Sequence, residues 1–152
     1  MNLEIRHAKE NEMDILLDFE KGIVEAERPY DTTLKDGEIH YYDLAALVQS
    51  PNAAVLVAVA NDEIVGSGYA KIQQGEPYQK FTAYAYLGFM YVKPKFRSKG
   101  INKLLLKGLI DWARSKEITE LRLEVYDENC IAKTAYSKAG FKANLLKMRM
   151  EI

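Results

Sequence analysis

Apolar residues fall along this chain in two rhythms, and each change of rhythm marks a change of element. Leu3 and Ile5 alternate with polar neighbours, the period of a short strand. Met13, Ile15, Leu16, Phe19 and Ile23 then recur at three-to-four spacing behind Asn11, which predicts a capped amphipathic helix. The segment 28–37, RPYDTTLKDG, is rich in turn formers and ends that helix; a second helix is predicted over about 40–49, broken by Ser50-Pro51-Asn52. Ala54 to Ala60 and Ile64 to Gln73 flank Asn61-Asp62, the composition of a hairpin between antiparallel strands, and Gly75 and Pro77 close it. Phe81 to Val92 is apolar and aromatic on both faces, as a strand buried inside a sheet must be, and is predicted to be central. After Gly100, residues Ile101, Leu104, Leu105, Leu109 and Trp112 return to helical spacing. Leu121, Leu123 and Val125 alternate as a strand, 132–139 reads as a short helix closed by Gly140, and the chain from Phe141 onward reads as a last strand or hairpin. Strand, helix, helix, hairpin, strand, helix, strand, helix, strand is the order of a mixed α/β layer fold of the α+β kind.

Composition narrows the function classes. At 152 residues, with no repeat, low-complexity tract or linker, the chain is expected to form one domain, 1–152. Its 21 basic and 22 acidic side chains sum to −1, so no overall field draws nucleic acid or an anionic membrane, and neither is expected as a partner. No apolar stretch approaches the roughly 20 residues that cross a bilayer and no signal pattern opens the chain, so a cytoplasmic location is expected. Cys130 is the single cysteine and can form no internal disulfide, and no Cys/His cluster has metal-ligand spacing, so no metal is expected.

The segment 92–102, VKPKFRSKGIN, joins a buried strand directly to an amphipathic helix, and that geometry invites an anion. The first turn of a helix has N–H groups without partners and the positive end of a dipole, so phosphate oxygens can accept there. Arg97 and Lys99 add charge, and Gly100 removes the side chain that would hold a diphosphate away from the backbone.

The longer run 92–106, VKPKFRSKGINKLLL, resembles the acetyl-CoA signature of the GNAT superfamily of N-acetyltransferases, in which Arg or Gln is followed after two residues by Gly and, one residue further, by Gly or Ala. Arg97 and Gly100 match it. Asn102 departs from it, and either changes the shape of the loop or adds an amide contact. The run 125–141, VYDENCIAKTAYSKAGF, resembles the same family's later block, with Asn129 at the position that contacts the cofactor's pantetheine or pyrophosphate arm and Tyr136 at the one near the thioester sulfur. No Gly-Lys-Ser/Thr follows as a nucleoside-triphosphate loop would require.

The resemblance covers essentially the whole chain and implies a mixed, mostly antiparallel central sheet flanked by helices on both faces, with a splayed central strand pair. It implies acetyl-CoA as co-substrate, held by Met90, Tyr91 and Val92 on the strand, by Arg97, Ser98, Lys99, Gly100, Ile101 and Asn102 on the loop, and by Asn129 and Lys133 near the last helix. It implies direct transfer, in a ternary complex, to a primary amine of a small molecule or peptide, with Tyr136 as the acid that protonates the departing thiolate. A homodimer is a further expectation from the family.

The base is not supplied where the family usually carries it. Relatives hold a Glu or Asp on the central strand about where this chain has Gly88 and Phe89, and neither takes a proton. The remaining candidates are Glu25, Glu27, Asp31, His40 or a water chain. Because EAERPYD lies where the family's substrate wall forms, Glu27 and Asp31 are expected to bind the ammonium group rather than deprotonate it. A bulge near Gly88 is the expected source of the splay. Tyr84, Tyr86, Phe89 and Tyr91 line a pocket or are buried between helices. Cys130 sits in the first turn of the last helix without a partnered His and is expected to be a bystander. The missing strand carboxylate also keeps open a non-catalytic acyl-CoA-binding module.

Overall fold

The computed structural model describes residues 1–152. In chain order the elements are β1 (Leu3–His7), α1 (Met13–Glu27), α2 (Leu44–Gln49), β2 (Ala53–Ala60), β3 (Glu63–Gln74), β4 (Ala83–Val92), α3 (Ile101–Ser115), β5 (Leu121–Arg122) and α4 (Cys130–Ala139). The strands form one sheet in the order β1-β2-β3-β4-β5, antiparallel up to β4, with β5 added parallel to it. The mixed, mostly antiparallel sheet expected from the sequence is therefore present. No helix is long and apolar enough to cross a membrane.

Strand β2 shows why the sheet carries helices on both faces. In AAVLVAVA, Ala54, Leu56, Ala58 and Ala60 pack into a core with Leu105, Leu109 and Ala113 of α3, while Val55 and Val57 between them pack with Leu16, Phe19 and Ile23 of α1 and Leu44 of α2. Period-two alternation places successive side chains on opposite faces, so a strand apolar at every position demands a cover on each side. Burial of a side chain such as Phe19 or Leu105, each almost wholly removed from solvent, contributes about 2–3 kcal/mol. The β2–β3 hairpin turns at Asn61 and Asp62, whose φ of 50° and 68° are the left-handed pair a type I′ turn needs.

Several boundaries differ from the sequence reading, each for a local reason. Asn11 does not cap α1: it lies in a 3-10 turn, Glu10–Glu12, and the Glu12 carboxylate accepts from the Lys9 amide at 2.8 Å while pairing with Arg6. Helix α2 begins at Leu44 rather than near His40, because Asp43 is its cap and accepts from the Ala46 amide at 3.2 Å. Pairing of β5 stops at Arg122, short of Val125, and α4 starts at Cys130, two residues earlier than its apolar pattern suggested, since Asn129 is its cap. No strand or hairpin forms after Phe141, and Leu145, Leu146, Met148 and Met150 are exposed. With no strand beyond β5, β4 is the next-to-last strand and its opening toward β5 lies near the sheet's edge rather than at its centre.

Candidate active site

A bulge in β4 creates the site. Tyr69 pairs with Gly88 and Ser67 with Tyr91, so Phe89 and Met90 stand opposite Gly68 alone. Phe89 takes a φ of 57°, its ring is buried on the α1 face against Tyr42, and its carbonyl accepts from the fully buried Ser67 hydroxyl at 2.9 Å. A bulged strand bends, and β4 leaves its parallel neighbour at once: pairing is confined to Ala85 with Leu121 and Tyr86 with Arg122. The Lys93 amide turns to β3, donating to Val65 O at 2.8 Å, so strand alternation directs the N–H and C=O of Val92 into the gap. There the Val92 carbonyl accepts from Arg97 Nε at 2.8 Å, and the Arg97 guanidinium lies over the Tyr91 ring.

The loop after β4 presents a row of free donors at the mouth of that gap. A 3-10 turn over Pro94–Phe96 leads to Ser98 and Gly100, with φ of 63° and 81°, which wind the backbone so that successive amides turn to one side. None of the amides from Ser98 to Lys103 donates to a protein acceptor, and the first bond of α3 runs from Leu104 N to Gly100 O at 3.2 Å. A Cβ built at Gly100 meets nothing within 4 Å, so the concavity is open. The positive end of the α3 dipole and the cations of Arg97 and Lys99 complete a seat of diphosphate chemistry. Acetyl-CoA fits this seat by the donor set alone. Ile101 takes part only through its amide, since its side chain is buried in the α3 core, whereas Asn102 is half-buried in the first turn.

The other residues expected on the cofactor side are placed less directly. Asn129 Oδ1 accepts from the Ala132 amide at 3.2 Å, which leaves the Nδ2 group for a ligand. Lys133 Nζ is held by Asp127, at 3.0 Å from Oδ1 and 3.2 Å from the carbonyl, so it is tied to its own turn. Cys130 is exposed and free.

Tyr41, Tyr86, Tyr126 and Tyr136 gather around Glu27, with Asp31 beside it and Glu124 next to Tyr86. Tyr136 on α4 packs edge-on to Phe141, and burial first, then the charge of Glu27, pushes its phenol above the ordinary range. Glu27 ends α1 half-buried; burial lifts its carboxyl above the usual range, with Tyr41 opposing that shift and Asp31 adding to it. The Tyr41 hydroxyl is buried beside Glu27 without a hydrogen bond of full geometry, and burial first, then the Glu27 carboxylate, push its phenol well above the ordinary range. Tyr126 stacks on Tyr30 at 6.0 Å and donates to Asp31 Oδ2 at 3.2 Å; burial first and Glu27 second push it to about 12.

Glu27 and Asp31, paired in the sequence reading, have different surroundings. The Asp31 carboxylate accepts from the Thr33 hydroxyl and amide and from Arg149 Nη2 at 3.0 Å, and these partners, Thr33 foremost, hold its pKa at about 2. Glu27 pairs with no cation: neighbouring Arg28 turns away to Glu25 and to the carbonyls of Lys35 and Gly37.

Tyr41, Tyr126, Arg149 and Glu20 were not singled out from the sequence. Glu20, 1% exposed on the buried face of α1, accepts from the amides of Tyr41 and Tyr42, each at 2.9 Å, and lies 2.8 Å from His40 Nδ1. That clamp holds the segment carrying Tyr41 in place. A charged residue in step with Leu16, Phe19 and Ile23 was the signal available for it. Arg149 offered none, because its partner is 118 positions away.

Comparison with known proteins identifies the family and the fold. The sequence profile of the Acetyltransferase (GNAT) family matches residues 17–141. The aminoglycoside N(6')-acetyltransferase type 1 of Salmonella typhimurium is 25% identical over 115 residues, 75% of this chain and 74% of that protein. The BH1408 protein of Bacillus halodurans, solved as a tetramutant, superposes with a TM-score of 0.88 at 21% identity, covering 98% of this chain and 99% of that one. A predicted acetyltransferase of Clostridium acetobutylicum, solved with acetyl-CoA, superposes with a TM-score of 0.74 at 18% identity, covering 99% and 96%. With a family profile spanning most of its length, the chain belongs to the acetyltransferase (GNAT) family and is an acetyl-CoA-dependent N-acetyltransferase.

Proposed function

We propose that the chain moves the acetyl group of acetyl-CoA to a primary amine of a small cationic molecule, by direct transfer while both substrates are bound. The observation that carries this is the run of amides from Ser98 to Lys103 without protein acceptors, at the end of the bulged strand β4. Arg97, Ser98, Lys99, Gly100, Ile101 and Asn102 grip the diphosphate, mostly through backbone N–H groups, and Asn129 Nδ2 steadies the arm beyond it. Acetyl-CoA supplies the activated acetyl thioester. Met90, Tyr91 and Val92 form the strand edge along the arm, where the Val92 N–H is aimed to polarise the acetyl carbonyl. Tyr136, kept protonated by its burial, stands as the proton donor to the departing thiolate.

A cationic acceptor is supported by the unpaired Glu27 charge among tyrosine faces, which attract an ammonium group through their ring quadrupoles. The curated relative's name points to an amine of the same general kind, an aminoglycoside. The lack of a carboxylate on β4 favours the second reading, a module that binds acyl-CoA without turnover. Thiol release separates the two. The enzyme liberates CoA when acetyl-CoA and an amine are both present, and Tyr136→Phe slows that release about 100-fold with little change in acetyl-CoA affinity. Tight acetyl-CoA binding with no amine-dependent thiol release would establish the binding module instead.

A further inference from the structure

Transfer to an amine needs a group that takes a proton from the incoming ammonium, and β4 cannot hold one. A Cβ at Gly88 would stand 2.8 Å from the Tyr69 ring, and that ring is itself buried. The next side chain, Phe89, is turned into the α1-face core by the bulge. Asp31 is already engaged by Thr33, Tyr126 and Arg149.

We propose that Glu27, at the C-terminal end of α1, accepts that proton. This rests on the acetyl-transfer reading above and replaces the purely electrostatic role expected of Glu27 from the sequence. The carboxylate is half-buried and without a cationic partner. Its charge raises the Tyr136 phenol, so the two groups lie near one another. The Tyr41 hydroxyl on the facing segment is buried beside Glu27 and lowers its carboxyl, a polar atom placed to hold a water or the acceptor nitrogen together with that carboxylate. The titratable groups facing Glu27 are Asp31 from the turn after α1, Tyr41 and Tyr42 from the segment before α2, Tyr86 from β4, Tyr126 after β5 and Tyr136 from α4. Arg149 acts one layer out, on Asp31 and Tyr126, and the Glu124 carboxylate is engaged with Tyr86, which it raises more than Glu27 does. The groups facing Glu27 are neutral phenols apart from Asp31, and burial among them lifts the carboxyl above its ordinary value, which strengthens it as a base.

The protons balance. Glu27 removes one proton from the ammonium, leaving a neutral amine whose nitrogen forms a bond to the acetyl carbonyl carbon. The carbon–sulfur bond breaks with its electron pair on sulfur, Tyr136 protonates that sulfur, and the second proton shed by the nitrogen restores Tyr136. The amide keeps the third, and Glu27 returns its proton to solvent.

The test follows thiol release from acetyl-CoA with kanamycin A and with phenethylamine as probe amines, for the wild type, Glu27→Gln and Glu27→Asp across pH. Glu27→Gln is expected to lower kcat about 100-fold or more at neutral pH, an effect larger than any rise in acceptor KM, with acetyl-CoA affinity little changed. It should also lose the lower limb of the pH profile, its rate rising with pH as the amine deprotonates unaided, and Glu27→Asp should recover part of the rate. A raised KM with unchanged kcat and an intact lower limb overturns the assignment in favour of ammonium binding. Unaltered kinetics overturn it outright. A wild type that binds acetyl-CoA but releases no thiol with either amine overturns the transfer reading itself, and this assignment with it.

Discussion

Arg149 Nη2 lies 3.0 Å from the Asp31 carboxylate, a bond that joins the C-terminal tail to the turn after α1 across 118 positions of sequence. Arg149 also donates to Thr33, so the tail is tied to the acceptor wall by a charge and a hydroxyl at once. The consequence is that Asp31 is a strut of the wall, and its titration reports on the wall's integrity.

Asp31 is depressed to about 2 in the folded chain, Thr33 contributing most and Arg149 less. Its contribution to stability is therefore present above the ordinary aspartate value of about 3.9 and is lost as pH falls from there through about 2. Urea denaturation of the wild type and Asp31→Asn should differ at pH 5 and converge by pH 2. Arg149→Ala should raise the Asp31 value without restoring it to normal, because Thr33 remains, and the carboxyl carbon shift in an NMR titration reads this directly.

His40 carries the opposite sign. The hydrogen bond to Glu20, then the Glu20 charge and Glu38, raise it above its ordinary value of about 6.5. Its contribution is full below that value and is lost as pH rises through the folded-state value. Glu20→Gln should move the His40 ring titration back down, and because Glu20 also receives the amides of Tyr41 and Tyr42, it should raise the acceptor KM more than it lowers kcat. A His40 titration unchanged in Glu20→Gln would mean the contact does not persist in solution.

Two glycines separate stability from binding. Gly88→Ala drives a methyl into the Tyr69 ring, whose neighbours leave it no room, and should cost about 1–3 kcal/mol of unfolding free energy. Gly100→Ala meets no atom within 4 Å and should cost about 1–2 kcal/mol for its left-handed φ of 81°, but it places a methyl at the phosphate seat and should weaken acetyl-CoA much more than it weakens the fold. Chemical denaturation and calorimetric titration of the same two variants check the contrast.

Replacing Arg97 and Lys99 together with alanine should weaken acetyl-CoA roughly tenfold or more, about 1.4 kcal/mol, and flatten the salt dependence of binding. Neither side chain is buried in a core, so thermal stability should barely move. Unaltered affinity in calorimetry would place the diphosphate away from this loop.

The local features of this protein were set by its residues as read in order. Alternation in β2, helical spacing in α1 and α3, the turn at Asn61-Asp62, and the strand, loop and helix around Gly100 depend on contacts within a few positions, and a periodic pattern records those contacts directly. The active site was decided elsewhere. Glu27 and Asp31 have the same kind of side chain four positions apart, and only folding surrounded Glu27 with phenols and gave Asp31 its Thr33 and Arg149 partners. The helix expected from His40 starts at Leu44, where Asp43 caps it while Glu20 takes the Tyr41 and Tyr42 amides, and the segment after Phe141 joins no strand. Burial and charge pairing belong to neighbours in space, and a sequence lists neighbours only along the chain, so it yielded the grip on acetyl-CoA while the tertiary structure alone distinguished the carboxylate free to act from the one already bound.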